Sequence, residues 1–508
     1  MSTSESIDSV RCDVGLFVTL ARRWFVRRLC TTLFVFIVSF MYLFSSDCHI
    51  SFDSVQIQSM TLASFMLQIR KHEYFKKLNI IICKMRSEAP IHVLLISYPA
   101  QGHINPLLSL AKCVAAKGAS VIFITTERAG KDIRTVNNII EKSFTPIGDG
   151  SLTFEFFDDC LEDDDPIRGD ITGYIAQLKL VGKPFVSQMI KNHAESNKPI
   201  SCLINNPFLP WVCDVADEHG IPSVLLWVQS TAVLTAYYNY FHKLVLETYE
   251  ELEHDFIDYI SNKSILIRPI GPLFNNPNIK GANNIRGDFV KSDDCNIIEW
   301  LNSKTKGSVV YISFGTVVYL PQEQVNEIAY GLLDSQVSFL WVLKPPVKEA
   351  GLEPHSLPDG FLEETSERGK VVKWSPQEQV LAHPSVACFI THCGWNSSME
   401  ALSLGVPMLT FPAWGDQVTN AKFLVDVFGV GIRLGYSHAE NKLVTRDEVK
   451  KCLLEAMAGE KAEELKKNAI KWKKAAEDAV AIGGSSDLHL DAFMQDIKKC
   501  GTVNIQKT

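Results

Sequence analysis

A chain of 508 residues is long enough for two or more domains, each with its own hydrophobic core. Apolar residues make up 46% of it and charged residues 21%, as in ordinary globular proteins, and a formal net charge of −8 without a basic stripe argues against nucleic acid as a partner. The 13 cysteines form no Cys-x-x-Cys pair and no Cys/His cluster at zinc spacing, which favours a reducing compartment over a disulfide framework or a structural metal.

The first 84 residues are predicted to be an extension ahead of the globular region. Arginines between positions 22 and 28 precede an apolar run at 29–44, a pattern typical of a signal anchor. The run is close to the shortest length that crosses a bilayer. Two interpretations stay open: an endomembrane anchor at 22–46, or a dispensable tail, since residues 85–90 lead directly into the first predicted strand.

From residue 91 the chain alternates between short apolar runs and helix signals. Continuous short apolar runs are typical of buried parallel strands, and the first of them lies at 92–97. A loop at 98–105 is predicted to follow, with Pro106 at a helix start and Gly118 at the helix end. Further strands are predicted at 121–124, 202–204 and 224–227.

The alternation restarts after a stretch rich in asparagine, glycine and lysine at 275–287, which indicates a linker. A helix is predicted at 322–333, and Thr445 with Glu448 forms a capping box that opens a late helix. Strands are predicted at 309–313, 339–342 and 387–390.

Two runs of βα units joined by a linker predict an α/β fold with two doubly wound domains. We assign residues 85–270 to the N-terminal domain, 271–295 to the linker and 296–508 to the C-terminal domain. Ligands of such sheets bind outside the carboxyl ends of the strands, so we expect the active site in the cleft between the domains. The acidic run at 163–165 has no nearby histidine and is predicted to be a solvated loop rather than a metal site.

A glycine turn joins the predicted strand at 387–390 to a helix that continues through Ala401. This turn places free backbone N–H groups at a helix N-terminus, which is a geometry that binds phosphate. Asn396 and Ser397 add side-chain donors, and His392 can form a further hydrogen bond. The turn is therefore predicted to be a phosphate site.

The stretch at 374–417 resembles, nearly letter for letter, the signature box of plant UDP-dependent glycosyltransferases. The resemblance implies the GT-B fold, in which two Rossmann-like domains face a cleft, and a UDP-sugar donor. It implies that Trp374 stacks on uracil, that Gln377 hydrogen-bonds near the base and ribose, and that Glu400 accepts both ribose hydroxyls. Taken singly, Trp374 could be a core residue and Glu400 a surface charge, but their joint spacing favours the binding roles.

The same resemblance assigns the diphosphate and the sugar of the donor. The diphosphate is assigned to His392, Asn396 and Ser397 at the turn that contains Gly394, and the hexose hydroxyls to Trp395, Asp416 and Gln417. Thr316 follows the end of another predicted strand and is expected to join the same phosphate site. Gln417 at the end of the box resembles glucose-using members. Because the helix N-terminus faces the charge that develops on the departing β-phosphate, we expect that neither a metal ion nor another cofactor is needed.

His103 follows the first strand, at the edge where ligands of parallel sheets bind. The resemblance implies that this histidine removes the acceptor proton and that an aspartate after the strand at 202–204 orients it. Asn206 stands at that position, and an amide cannot stabilise an imidazolium as a carboxylate does. Two interpretations follow: the enzyme is impaired, or its acceptor needs little deprotonation.

A carboxylic acid, with a pKa of about 4, is already an anion at neutral pH, whereas a phenol, at about 10, is not. General-base help is worth roughly 10²–10⁴ in rate for the phenol and little for the carboxylate. We therefore expect a carboxylate acceptor and a 1-O-glucose ester product, with His103 positioning the acceptor. The runs at 205–208 and 314–320 also resemble the branch that glucosylates hydroxycinnamic and hydroxybenzoic acids, gallate and limonoids.

The resemblance breaks near residue 245, where segments 237–244 and 250–255 meet although the family separates them by several dozen residues. The lost piece normally supplies walls of the acceptor pocket, so we expect exposed apolar surface and weaker acceptor binding. With the unusual extension, this indicates a splice variant or a faulty gene assembly.

The leading interpretation is an inverting glucosyltransferase that uses UDP-glucose. Three alternatives stay open: a flavonoid or phenol O-glucosyltransferase, a truncated paralogue that binds UDP-sugar without turnover, and a nicotinamide dehydrogenase. The last is disfavoured because no Gly-x-Gly-x-x-Gly follows the first strand. We expect UDP-glucose and a small molecule as partners, no nucleic acid, a monomer, and a cytoplasmic location, since UDP-glucose is made in the cytosol.

Overall fold

The computed structural model describes residues 91–504 except positions 138, 235–249, 254–267, 274–295, 317, 346–352 and 435–442. All of the described residues belong to one compact unit of the chain. The predicted extension with its anchor, the junction near 245 and most of the predicted linker lie outside them. In the part of the chain that is described, we find no helix with the length and apolar character needed to cross a membrane.

The strands of the described residues form two sheets. Those of the first sheet are His92–Ile96 (β1), Ser120–Thr126 (β2), Thr145–Ile147 (β3), Gly150–Phe157 (β4), Cys202–Asn205 (β5) and Ser223–Leu225 (β6). Those of the second are Val309–Ser313 (β7), Ser338–Val342 (β8), Gly369–Val372 (β9), Val386–Thr391 (β10), Met408–Thr410 (β11) and Gly431–Arg433 (β12).

The first sheet has the strand order β3-β4-β2-β1-β5-β6, and the second has β12-β11-β10-β7-β8-β9. Neighbouring strands run parallel, except that β3 is antiparallel to β4. The predicted fold class, α/β with two doubly wound Rossmann-like domains, is confirmed.

Helices connect the strands and cover the faces of both sheets. They are Gln101–Ala116 (α1), Glu127–Asn137 (α2), Ile171–Glu195 (α3), Trp211–Glu218 (α4), Asn296–Asn302 (α5), Gln322–Ser335 (α6), Phe361–Glu364 (α7), Gln377–Leu381 (α8), Trp395–Leu404 (α9), Asp416–Lys422 (α10), Arg446–Met457 (α11), Gly459–Val480 (α12) and Ser485–Asn504 (α13). A 3₁₀ turn at Pro166–Gly169 precedes α3, and a π-helical turn at Phe423–Val427 follows α10.

The central strands are buried on both faces, as their continuous apolar runs predict. Every residue of β1 and of β7 is buried. Alternate residues of one strand enter different cores: Val93 packs into the cluster on one face of the first sheet and Leu94 into the cluster on the other. Burial on both faces fixes each strand and therefore fixes where its carboxyl end emerges.

The last helix returns to the first sheet. Its residues Leu490, Phe493, Met494 and Ile497 are buried in the same cluster as β1, although the helix belongs to the range assigned to the C-terminal domain. Lys117, next to the end of α1, forms ion pairs with Asp487 and Asp491 of the same helix. Helix α13 thus ties the C-terminal part of the chain to the first sheet.

Candidate donor and acceptor site

The strand order reverses beside β1 in the first sheet, between β1 and β5, and beside β7 in the second, between β7 and β10. Parallel α/β sheets bind ligands beyond the carboxyl ends of the strands at such switch points. His103 and Asn206 follow β1 and β5, whereas Thr316 and His392 follow β7 and β10. The fold therefore brings the predicted acceptor residues to one switch point and the predicted diphosphate residues to the other.

The predicted loop at 98–105 is wrong, because α1 begins at Gln101. His103 lies in its first turn, and Pro106 is inside the helix rather than at its start. The helix tolerates the proline near its N-terminus, since the peptide N–H that Pro106 lacks would have bonded only the carbonyl of Gly102. That carbonyl instead accepts a hydrogen bond from Nδ2 of Asn396 at 2.7 Å.

The turn between β10 and α9 has the backbone of an anion site. Cys393 adopts a left-handed conformation with φ of 64°, and its N–H donates to Oγ1 of Thr391 at 3.1 Å. Gly394 occupies the N-cap position of α9, and within the described chain no side chain caps this helix. The N–H groups of the first turn therefore remain available to a phosphate.

The imidazole of His392 lies between two glycines. A Cβ placed on Gly315 would come within 2.5 Å of Cε1 of His392, and one on Gly394 within 2.5 Å of Nε2. Burial, with the charge of Lys344 adding to it, lowers the pKa of His392 to about 4. His392 is therefore a neutral hydrogen-bonding group at physiological pH. Thr316, three residues after the end of β7, is exposed.

A polar network links the residues assigned to the base and ribose. Nε2 of Gln377 donates to Oγ of Ser397 at 2.9 Å and to Oε2 of Glu400 at 2.8 Å. The Tyr311 hydroxyl donates to Oε1 of Gln377 at 3.3 Å. Trp374 is only half-buried, so its ring is not a core residue. Gln377 therefore holds Glu400 and Ser397 in place between the predicted base and phosphate sites.

The three residues assigned to the hexose differ in burial, hydrogen bonding and charge. Trp395 is 3% exposed and packs into the core, so its ring is not open to a ligand. Oε1 of Gln417 accepts from the N–H groups of Ala413 and Trp414 at 2.9 and 3.2 Å. Burial raises the pKa of Asp416 to about 6, against an opposing hydrogen bond from Asn420.

The first-sheet residues form an aromatic cage. The ring of His103 lies 4.5 Å from that of Phe208 and 5.4 Å from that of Tyr98, between ring centroids. Burial lowers the pKa of His103 to about 4, and its Nδ1 is buried with no hydrogen-bond partner among the described residues. His103 is thus a neutral imidazole with one nitrogen atom unsatisfied.

Asn206 is fully buried beside the same segment. Its Nδ2 donates to Oγ of Ser97 at 3.4 Å, while its Oδ1 is unsatisfied within the described residues. Asn206 thus contacts Ser97, and His103 contacts the adjacent Tyr98. Each of the two has one polar atom that forms no hydrogen bond within the described residues.

Two residues of the site were missed by the sequence reasoning. Lys344 lies just beyond the carboxyl end of β8, the strand next to β7, and its charge acts on His392. Asn420 donates to the carbonyl of Cys393 at 3.0 Å and to Asp416 at 2.9 Å, and accepts from Ser230 at 2.9 Å. The rule that ligands bind at carboxyl edges could have indicated Lys344, whereas the role of Asn420 depends on contacts far apart in sequence.

Nothing in the described residues resembles a metal centre, since no three potential ligand side chains of His, Cys, Asp or Glu converge there. The arrangement instead offers backbone N–H groups, neutral imidazoles and one lysine to an anionic ligand. Such groups can stabilise charge on a departing diphosphate.

Comparison with known proteins agrees with this geometry. Residues 242–477 match the sequence model of the family described as UDP-glucoronosyl and UDP-glucosyl transferase. Gallate 1-beta-glucosyltransferase 84A24 of Punica granatum is 52% identical over 471 residues, covering 82% of this chain and 90% of that protein. Cinnamate beta-D-glucosyltransferase of Fragaria ananassa is 50% identical over 471 residues, covering 82% and 84%.

The crystal structure of Os79 from O. sativa in complex with UDP superposes with a TM-score of 0.67 at 24% identity, covering 80% of this chain and 100% of that one. The alignment with the Punica protein also shows that this chain is shorter than its relative within the aligned region. Because 82% of 508 residues is about 417, the 471 aligned positions include about 54 at which this chain has no residue.

Proposed function

Because the chain belongs to the UDP-glucoronosyl and UDP-glucosyl transferase family, we propose that it is an inverting glucosyltransferase that forms 1-O-glucose esters. The donor is UDP-glucose, and the acceptor is a small plant carboxylic acid of the hydroxycinnamate, hydroxybenzoate, gallate or limonoid type. The names of relatives near 50% identity support this acceptor class, among them a limonoid UDP-glucosyltransferase of Citrus unshiu.

In the donor half of the reaction, the acceptor oxygen attacks the anomeric carbon while the bond to the β-phosphate breaks. The charge that develops on UDP meets the N-terminus of α9, the neutral His392 and the charge of Lys344. Donors that are fixed in place before the reaction stabilise such charge without reorganisation. We propose that they suffice without a metal ion or another cofactor.

The acceptor half is supported by one observation: the amide of Asn206 and the ring of His103 follow the neighbouring strands β5 and β1, and each has one polar atom without a hydrogen-bond partner among the described residues. A carboxylate at 206 would hold a proton on Nδ1 of His103 and so leave Nε2 as a base. An amide can donate as well as accept, and its nitrogen and oxygen are exchanged by a flip of the side chain. Donation by Asn206 to Nδ1 leaves the proton on Nε2, where it can bond one oxygen of an acceptor carboxylate while the other attacks.

The test compares the unaltered protein with Asn206→Asp on benzoate and on a phenol of similar size. We expect kcat/KM for benzoate to fall and kcat/KM for the phenol to rise, because the aspartate turns Nε2 into a base. The ¹⁵N spectrum of His103 should change from the Nε2–H to the Nδ1–H tautomer. An unaltered ratio of the two kcat/KM values would refute the proposed role of Asn206.

A second candidate is a paralogue that binds UDP-sugar without turnover. It is favoured by the roughly 54 positions at which the chain lacks a counterpart of its Punica relative. UDP binding without UDP release over panels of acids and phenols would support it.

We further propose that the enzyme acts in the cytoplasm as a monomer. The location is supported by the free thiols of the described residues, with Cys202, Cys213 and Cys388 among the buried ones. Free thiols persist in a reducing compartment.

A further inference from the structure

One hydrogen bond joins the two switch points directly. Nδ2 of Asn396, in the first turn of α9, donates to the carbonyl of Gly102, in the first turn of α1, at 2.7 Å. Gly102 precedes His103 in the chain, and Asn396 lies in the turn that receives the diphosphate. The contact therefore connects the donor loop to the backbone that carries the acceptor histidine.

Pro106 explains why the Gly102 carbonyl is available. In an α-helix this carbonyl would accept from the N–H four residues later, and that residue is Pro106, which has no N–H. A carbonyl so close to a helix N-terminus would otherwise be engaged within the helix. Asn396 supplies the missing donor from a different domain.

The amide of Asn396 has two N–H donors, and Gly102 uses one of them. Its Oδ1 is buried and has no partner among the described residues, so the amide group is not otherwise engaged. We infer that Asn396 bridges the diphosphate of the donor and the Gly102 carbonyl, and that Pro106 is the positioning residue that keeps this carbonyl open.

Through the hydrogen bond between Asn396 and Gly102, binding of the donor can order the first turn of α1, which carries His103. When a phosphate oxygen accepts the second N–H of Asn396, the first turn of α1 is held against the donor loop, and His103 with it. The reacting groups then meet in a fixed geometry, which is how positioning raises turnover. Pro106 is buried within α1, so we expect it to act through the Gly102 carbonyl and Asn396 and not by contact with a substrate. The inference rests on the proposed donor site and adds a coupling to it.

The first experiment replaces Pro106 with alanine. Alanine restores an N–H that competes for the Gly102 carbonyl, and it favours the helix, so the variant should fold. We expect kcat with UDP-glucose and benzoate to fall roughly 3- to 10-fold, the range of one hydrogen bond, while the Kd for UDP stays within roughly twofold. Pro184→Ala is the matched control: it also removes a helix-internal proline, in α3, and should leave kcat unchanged.

A double-mutant cycle tests whether Pro106 acts through Asn396. In the Asn396→Ala background the Pro106→Ala change should alter kcat by less than roughly twofold, because the bridge is already lost. An equal loss of kcat in both backgrounds, or no loss in either, would overturn the inference.

Hydrogen exchange separates failure of the inference from failure of the proposed function. UDP alone should slow exchange of the backbone amides at 101–105 in the unaltered protein, and should do so less in Pro106→Ala. Absence of UDP binding would refute the proposed function. Saturable UDP binding that leaves exchange at 101–105 unchanged would refute the bridge alone.

Discussion

The imidazole of His392 depends on two positions that have no side chain. Gly315 has φ of 74°, and a Cβ there would meet the ring of His392 at 2.5 Å. We predict that Gly315→Ala moves the imidazole and weakens UDP binding roughly tenfold, in addition to a backbone cost of roughly 1–2 kcal/mol in the free energy of unfolding. Calorimetric titration with UDP measures the first effect and denaturant unfolding the second.

Gly307 supplies the matched control, because it has φ of 64° and no atom within 4 Å of an added Cβ. Gly307→Ala should therefore show the stability loss without the change in UDP affinity. Equal UDP affinities for the two variants would contradict the assigned role of the glycine beside His392.

Asp416 gives the donor site a pH dependence. Burial raises its pKa from 3.8 to about 6, so its contribution to folding stability is present below pH 4 and is lost as the pH rises through 6. Only above that pH is it an anion, the form that can accept hydrogen bonds from sugar hydroxyls. We predict that UDP-glucose affinity rises between pH 5 and 7.5 and that Asp416→Asn abolishes this rise. A pH profile unchanged by the substitution would show that Asp416 does not contact the hexose.

At the scale of elements, the carboxyl ends of β8 and β9 carry two lysines with different surroundings. Lys344 is partly buried and acts on His392, whereas Lys373 is exposed. A charge about 10 Å from a diphosphate contributes roughly 1–2 kcal/mol at an effective dielectric of 20. We predict that Lys344→Met weakens UDP binding roughly tenfold and leaves uridine binding unchanged.

Lys373→Met is the control for this prediction and should leave the affinity for UDP unaltered. If both lysine variants bind UDP equally well, the charge of Lys344 does not reach the diphosphate. Repeating the titration in high salt should reduce the difference between the two variants.

Sequence patterns located the elements that carry the site more reliably than their exact starts. The strands that the sequence predicted are confirmed to within two residues, because short continuous apolar runs are typical of strands in parallel sheets; they are β1, β2, β5, β6, β7, β8 and β10. The start of α1 was placed five residues late, because proline is favoured in a first turn but is also tolerated further in. Strands of three residues, such as β11 and β12, are too short for a recognisable pattern of apolar residues.

The turn between β10 and α9 could be predicted because its residues are consecutive in the sequence. The spacing from His392 to Ser397 places a glycine and polar side chains at one helix start. The bonds of Gln377 to Glu400 and of Asn396 to Gly102 could not be predicted, since they join residues 23 and 294 positions apart. Such contacts follow from the packing of elements and not from a local pattern.

At the scale of the whole molecule, α13 stabilises the first sheet from the far end of the chain. Phe493 is 8% exposed within the β1 cluster, and removing a buried phenylalanine side chain costs roughly 3–5 kcal/mol. We predict that Phe493→Ala lowers the free energy of unfolding by this amount. Leu488 of the same helix is 56% exposed, so Leu488→Ala should change it by less than about 0.5 kcal/mol. Equal unfolding curves for the two variants would mean that the helix does not contribute to that core.

The transfer of glucose to a carboxylate by a donor site that needs no metal is the central claim. Its most direct measurement is product analysis after incubating the full chain with UDP-glucose, benzoate and excess EDTA. We predict a glucose conjugate that mild alkali hydrolyses to benzoate, formed at the same rate with and without EDTA. Saturable UDP binding with no such product, or a product that resists alkali, would contradict the account.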